Sequence, residues 1–434
     1  MLASDPKSKP KIFNSTNVSL EKKAYHGGYQ NRSITRNNFV FELEKLMEPI
    51  KPELKPKNPC FSSGPTSKHP GWKIKNLNLE SLGRSHRAKH PKSRLKLVID
   101  ESKQLLGIPD DYLVGIVPAS DTGAFEMAMW SMLGPKGVDV LSWESFGEGW
   151  AKDIRDELKL SDVKYLTASY GELPNLSEVD TEKRDVVFTW NGTTSGACLT
   201  DGDWISQDRE GLTICDATSA LFAMEMPWRK LDVVTWSWQK VLGGEAAHGM
   251  LALSPHAVER LESYTPSWPL PKVFRLTKKG KILKDLFEGA TINTPSMLAV
   301  EDQLSALDWS KKVGGLQALI ERSKANLAAV TDWVAKTPWA DFLTKKATNR
   351  SSTSICLSLV DEWFTHNSEE AQKQIVKNIV SNLEHESVAF DIGSYRDAPP
   401  GFRIWGGGTV EESDIKALLP WLEWGYAKEK YENK

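Results

Sequence analysis

Between Tyr112 and Leu253, apolar runs of strand length alternate with helical segments. The runs are Tyr112 to Pro118, Val138 to Trp143, Asp185 to Trp190, Leu212 to Asp216, Val233 to Trp236 and Gly249 to Leu253. They are apolar almost throughout, not at every second residue, which is how a strand reads when both its faces are buried. Helical patterns fall between them at Gly123 to Leu133, stopped by Gly134-Pro135, and at about Gly149 to Leu158. The expected fold class is α/β, with a mostly parallel sheet covered on both sides.

Outside that region the pattern changes. Lys51 to Pro59 holds three prolines and reads as an extended arm. Ser85 to Leu106 is an amphipathic helix ending near Gly107. After Pro295 a helical stretch, Ser296 to Thr337, is interrupted at Gly314-Gly315. Strand-like Ser352 to Leu359, helical Glu369 to Glu384, strand-like Val388 to Ile392 and helical Glu411 to Trp424 then form a smaller α+β unit. The expected organisation is a tail over 1–46, an arm over 47–70, a large domain over 71–320 and a small C-terminal domain over 321–434.

Composition excludes several function classes. A formal net charge of -2 makes no case for nucleic acid or membrane as partner. No apolar run nears the roughly 18 residues of a membrane helix. The four cysteines form no Cys-x-x-Cys pair and no metal-ligand spacing with the eight histidines, so no metal and a reducing, cytoplasmic compartment are expected. Met1 to Asn38 is basic, with only Asp5 and Glu21 as acids. It reads as a disordered tail, as a transit segment to mitochondrion or plastid, or as residues upstream of a native start at Met47. Glu42 to Leu46 reads as a short helical turn.

Open α/β sheets bind ligands at the carboxyl ends of their strands. Two of those ends carry a charge: Asp216 closes Gly-Leu-Thr-Ile-Cys-Asp, and Lys240 follows Val-Val-Thr-Trp-Ser-Trp-Gln. Burying either charge alone is costly. Pyridoxal 5′-phosphate (PLP) accounts for both, because its pyridine nitrogen needs a carboxylate and its aldehyde needs a lysine amine. Other strand ends fit the same ligand. Ala-Ser-Asp-Thr-Gly (Ala119 to Gly123) opens a helix and offers phosphate-binding amides or an ordinary cap; Phe146 or Trp150 offers a stacking ring; Asn191 to Gly196 is a polar turn. His86, Arg87, Arg396 and Arg403 form a set of cationic residues suited to anionic substrates if they converge, and to solvent if they do not.

At these residues the chain resembles the phosphoserine aminotransferase family, class V within the fold-type I PLP-dependent enzymes. Phe-Ser-Ser-Gly-Pro (Phe61 to Pro65), Ser-His-Arg (Ser85 to Arg87), Gln239-Lys240, Asn293-Thr294-Pro295 and Gly-Phe-Arg (Gly401 to Arg403) occur in the family's order, across roughly Lys55 to Trp424. The resemblance implies a large, mostly parallel, seven-stranded sheet domain and a smaller C-terminal α+β domain. It implies that Lys240 and Asp216 are catalytic, and that Asp121, Thr122, Phe146, Thr193, Gln239, Asn293 and Thr294 hold the cofactor. Phe146 is preferred slightly over Trp150 for the ring. Asn293 and Thr294 would serve the other subunit of a homodimer with shared sites. Ser63, Gly64, His86, Arg87, Arg396 and Arg403 would bind substrate, with Arg403 on the α-carboxylate and His86 and Arg87 supplied by the neighbour. The implied substrates are phosphoserine, 3-phosphooxypyruvate, glutamate and 2-oxoglutarate.

Three departures stand out. Asp121 lies where members often carry a glycine-rich loop with an arginine, so it is expected to turn its acid away and offer only N–H. The aromatic is either Phe146 or Trp150. Tyr395 stands where histidine often precedes Arg396. The alternative reading is a class V transaminase for small unphosphorylated acids, which needs Arg403 but neither Arg87 nor Arg396. A PLP-fold protein without catalysis, serving as a binding dimer, is the reading furthest from both.

Overall fold

The structure, a computed structural model, describes residues 48–433. The expected tail and the helical turn at Glu42 to Leu46 lie outside the described residues. The described residues from Pro49 onward form one compact unit.

Seven strands make the main sheet: β1 (Leu113–Pro118), β2 (Val138–Ser142), β3 (Val163–Thr167), β4 (Asp185–Thr189), β5 (Thr213–Asp216), β6 (Val233–Ser237) and β7 (His248–Leu253). Their spatial order is β1-β7-β6-β5-β4-β2-β3. Neighbours from β3 to β6 pair parallel, and β7 runs antiparallel to both β6 and β1. Alternate residues of one strand serve two cores. Val186 and Phe188 face one cluster with Trp236, Met250 and Ala252, while Val187 faces another with Ile214, Val233 and Leu251. Both faces are apolar because both are covered.

Edge strand β3 was not anticipated. Its Val-Lys-Tyr-Leu-Thr buries only Leu166, so it lacks the continuous apolar run of its neighbours. Helix α1 spans Lys89–Leu106, four residues shorter at its start than expected. Helix α2 spans Ser120–Met132. Helix α3 begins at Ser145, ahead of the expected Gly149, because Glu144 caps it by accepting from the Gly147 amide at 2.8 Å; it ends at Lys152 and widens into a π-helical turn over Asp153–Glu157.

The C-terminal elements include α4 (Pro255–Ser263), α5 (Met297–Lys312), α6 (Gly315–Val334), α7 (Glu369–His385) and α8 (Glu412–Glu432). They also include the antiparallel strands β8 (Ala340–Phe342), β9 (Ser354–Leu359) and β10 (Gly401–Trp405). The expected boundary at 320 falls inside α6. Val388 to Ile392 is a correction. Val388, Ala389 and Ile392 are fully buried, but Ser387 and Asp391 take positive φ, and only isolated bridges such as Cys60 to Phe390 form there. Burial made it apolar; the turning backbone prevents a strand. Helix α8 runs past Trp424 and through Pro420, which is tolerated because both Pro420 and the Lys416 carbonyl it leaves unbonded lie on an exposed face.

The two edges of the sheet differ in chemistry. Three buried acids sit at amino ends of strands, each held by arginine: Asp139 by Arg184, Asp185 by Arg260 and Asp232 by Arg209. The arm crosses to the other edge. Leu54 accepts from the Trp421 indole, Lys57 N–H donates to Asp414, and Phe61 accepts from Trp405 N–H at 3.0 Å. That path delivers Ser63 to Thr66 to the carboxyl ends of the strands.

Candidate active site

Lys240 lies on the turn after β6. The Gly243 amide donates to the Lys240 carbonyl at 2.9 Å, closing the turn. Gly243 has φ +64, and a Cβ there would lie 2.1 Å from the Ser67 carbonyl, so only glycine allows the arm this close. Thr66 clamps the turn from the arm, its amide donating to the Gln239 carbonyl and its hydroxyl to the Lys240 carbonyl. The Lys240 amine then donates to the Ser63 carbonyl at 2.5 Å. A Cβ on Gly64 would stand 2.6 Å from that nitrogen, so the missing side chain is the space the amine occupies. The Trp405 ring lies 5.8 Å from it.

Asp216, at the end of β5, is buried and accepts from the Thr218 amide at 3.0 Å and from the Trp150 indole N–H at 3.3 Å. At the end of β1, Ala119 and Ser120 take left-handed backbone conformations, and α2 starts with no side-chain cap. First-turn amides, those of Asp121 and Thr122 among them, have no intrahelical partner. The turn after β4 is fixed by its own polar groups. Thr193 donates to Ser219 at 2.7 Å, Asn191 donates to Thr353 at 2.9 Å, and Ser354 donates to the Thr193 carbonyl.

The field in this pocket is set by burial. Burial first, and then Arg403, push Lys240 down to about 8, against the opposing pull of Asp216, Glu144 and Asp121. Burial and the neighbouring Asp216 hold the Asp121 carboxyl well above the usual carboxylate range. The Asp121 carboxyl thus faces Asp216, and its Oδ1 has no hydrogen-bond partner in the protein. Glu144 is raised by burial while it accepts from Gly147 and Thr194. Burial lowers Arg403.

PLP fits these residues. Ser63 Oγ, Thr218 Oγ1, Gln239 Oε1 and Arg403 Nε are buried polar atoms with no partner in the protein, which is costly unless a polar ligand meets them. An amine, an acid and an uncapped helix start complete the set such a cofactor requires.

The two candidate aromatics occupy different environments. Trp150 is buried and bonded to Asp216, whereas Phe146 is 37% exposed and packs on Tyr395 at 5.6 Å. Phe146 lies on the Tyr395 side of the pocket. There the Tyr395 ring lies 5.3 Å from the Arg396 guanidinium and 5.4 Å from that of Arg403. Within one chain the other expected residues stand apart. Among the described residues no hydrogen bond, ion pair or ring contact joins His86, Arg87, Asn293 or Thr294 to Lys240, Asp216 or Arg403. Arg87, Asn293 and Thr294 are exposed, and His86 is buried with Nε2 unpartnered. Glu144 and Trp405 were missed. The strand-end rule that found Asp216 also leads to Glu144, two residues past β2.

A buried lysine after β6 facing a strand-end carboxylate, across a seven-stranded sheet of this order, defines a fold-type I PLP-dependent transferase. No family model matches the chain. Phosphoserine aminotransferase of Methanosarcina barkeri is 59% identical to it over 377 residues, covering 87% of this chain and 99% of the relative. The Methanosarcina mazei enzyme of that name has the same identity and coverage. The phosphoserine aminotransferase structure from Cytophaga hutchinsonii aligns with a TM-score of 0.69 at 18% identity, over 84% of this chain and 99% of that one, and at that identity it bears on fold alone. The chain belongs to the phosphoserine aminotransferase family.

Proposed function

We propose that the protein catalyses reversible transamination between L-glutamate and 3-phosphooxypyruvate, giving 2-oxoglutarate and O-phospho-L-serine. The observation that carries this is the placing of both Arg403 and Arg396 at the Tyr395 ring, with Arg403 close enough to act on the Lys240 amine. Two guanidiniums at one ring, one of them beside the base, suit a small acid with an anion at each end.

When bound, PLP supplies the electron sink that makes a substrate Cα–H acidic. Asp216 would hold the ring nitrogen, Thr193 the ring hydroxyl, Trp150 a ring face, and the amides of Asp121 and Thr122 with Gln239 the phosphate. Arg403 takes the α-carboxylate and so points Cα at Lys240. Burial and Arg403 both push the Lys240 amine down, toward the neutral form that can accept the Cα proton. The Ser63 carbonyl and the space above Gly64 fix where that nitrogen waits. Distal recognition by cations, with no shaped apolar pocket, lets one site take both a carboxylate and a phosphate.

The same reading makes the protein a cytoplasmic homodimer in which His86, Arg87, Asn293 and Thr294 complete the partner's site. That none of the four makes a hydrogen bond, ion pair or ring contact with Lys240, Asp216 or Arg403 of its own chain, among the described residues, supports this, and the unpaired state of all four cysteines supports a reducing compartment. It also extends to 4-phosphohydroxythreonine, a phosphorylated amino acid of pyridoxine synthesis with the same two anions. The test is competition between 3-phosphooxypyruvate and glyoxylate as acceptors for glutamate's amino group. Strong preference for the phosphorylated acid is expected; preference for glyoxylate would return the alternative, a transaminase of small unphosphorylated acids.

A further inference from the structure

We infer that Tyr395, backed by Phe146, is a specificity-determining positioning residue that fixes the distance between the two anion-binding arginines. This rests on the function proposed above and adds to it how the site measures its substrate. The Tyr395 ring lies 5.3 Å from the Arg396 guanidinium and 5.4 Å from that of Arg403, inside the range at which an aromatic face attracts a cation. Its hydroxyl accepts from the Arg396 Nη2 at 3.1 Å. Phe146, at the start of α3, packs on the ring at 5.6 Å and ties the tyrosine to the same helix that carries Trp150 to Asp216.

The arrangement answers a physical problem. Arg403 is partly buried with its Nε unpartnered, and Arg396, exposed and next to Tyr395 in sequence, reaches the same ring. A phenol in reach of both adds no charge, offers electron-rich surface to each and gives Arg396 a hydrogen-bond acceptor. Arg396 is exposed, and among the described residues its side chain has no other hydrogen-bond acceptor. Without the ring and hydroxyl an exposed arginine samples many rotamers, and a substrate must then meet the cost of ordering it.

The experiment uses the PLP holoenzyme with Tyr395→Phe and Tyr395→Leu. Steady-state kinetics are measured for a two-anion substrate, glutamate, and a one-anion substrate, alanine, alongside 3-phosphooxypyruvate. Tyr395→Phe keeps the ring and loses only the Arg396 bond. It is expected to raise KM about three- to tenfold for two-anion substrates, with kcat and the alanine KM held within about twofold. Tyr395→Leu is expected to raise KM for all three. An unchanged glutamate-to-alanine KM ratio in Tyr395→Phe would overturn the inference, as would a uniform fall in kcat. A wild-type enzyme indifferent to 3-phosphooxypyruvate sinks the proposed function instead, and the glutamate-to-alanine ratio still decides the role of Tyr395.

Discussion

Lys240 burdens the protein when its cofactor is absent. Its amine titrates near 8, below the ordinary 10.5, chiefly because burial penalises the charged form. Between those two pH values the unfolded chain binds a proton that the folded chain does not, so stability rises with pH across the window. Below it both states are protonated, and the folded one carries a buried cation at a cost of about 3 kcal/mol. Lys240→Met should therefore abolish turnover, raise the stability of cofactor-free protein at pH 7 and remove its gain between about 8 and 10.5. Urea unfolding at pH 7 and pH 10 checks this, and a variant that keeps the wild-type pH dependence contradicts it. Residues of this kind were legible in the sequence, because a charge that ends an apolar run has few explanations. Phe146 and Trp150 were not separable there. They stand four apart on one helix, hence on one face, and only tertiary burial decides which reaches Asp216.

At the scale of elements, the amino edge of the sheet holds the fold and the carboxyl edge does the chemistry. Asp185 is fully buried at the head of β4; it accepts from both terminal nitrogens of Arg260 on α4 and from the Leu212 amide before β5. Asp185→Ala leaves the Arg260 cation without its buried partner, and a loss of about 3 to 5 kcal/mol is expected. Asp185→Leu with Arg260→Met should recover much of that loss, since a matched apolar pair removes both charges together. Denaturant midpoints of wild type, single and double variants measure it, and an additive double variant contradicts the pairing. The buried parallel strands were readable because burial on two faces leaves a continuous apolar run. Edge strand β3 and β10, which carries Arg403, were not. The first is half exposed, and the second places polar Arg403 between buried Phe402 and Ile404. Val388 to Ile392 misled in the opposite way, as a buried segment that pairs with almost nothing.

At the scale of the whole molecule, one chain holds the amine, the acid and two arginines, yet leaves Arg87 and the Asn293-Thr294 turn exposed. No sequence signal distinguishes an exposed loop that serves its own site from one that serves a neighbour, so this part was supplied by resemblance alone. Subunit exchange tests it. In a twofold dimer with shared sites, Lys240→Ala removes the base from a chain's own site, while Arg87→Ala removes the anion binder from its partner's. Each homodimer is then impaired at both sites. A heterodimer joins the intact Lys240 of one chain to the intact Arg87 of the other at one of its two sites, and both lesions fall at the second. After complete exchange of equal amounts, half the dimers are mixed, so about a quarter of all sites should work with 3-phosphooxypyruvate. Activity that climbs toward this level as exchange proceeds is the expected result. Activity that stays at the average of the two separate variants would mean that Arg87 acts on its own chain or not at all.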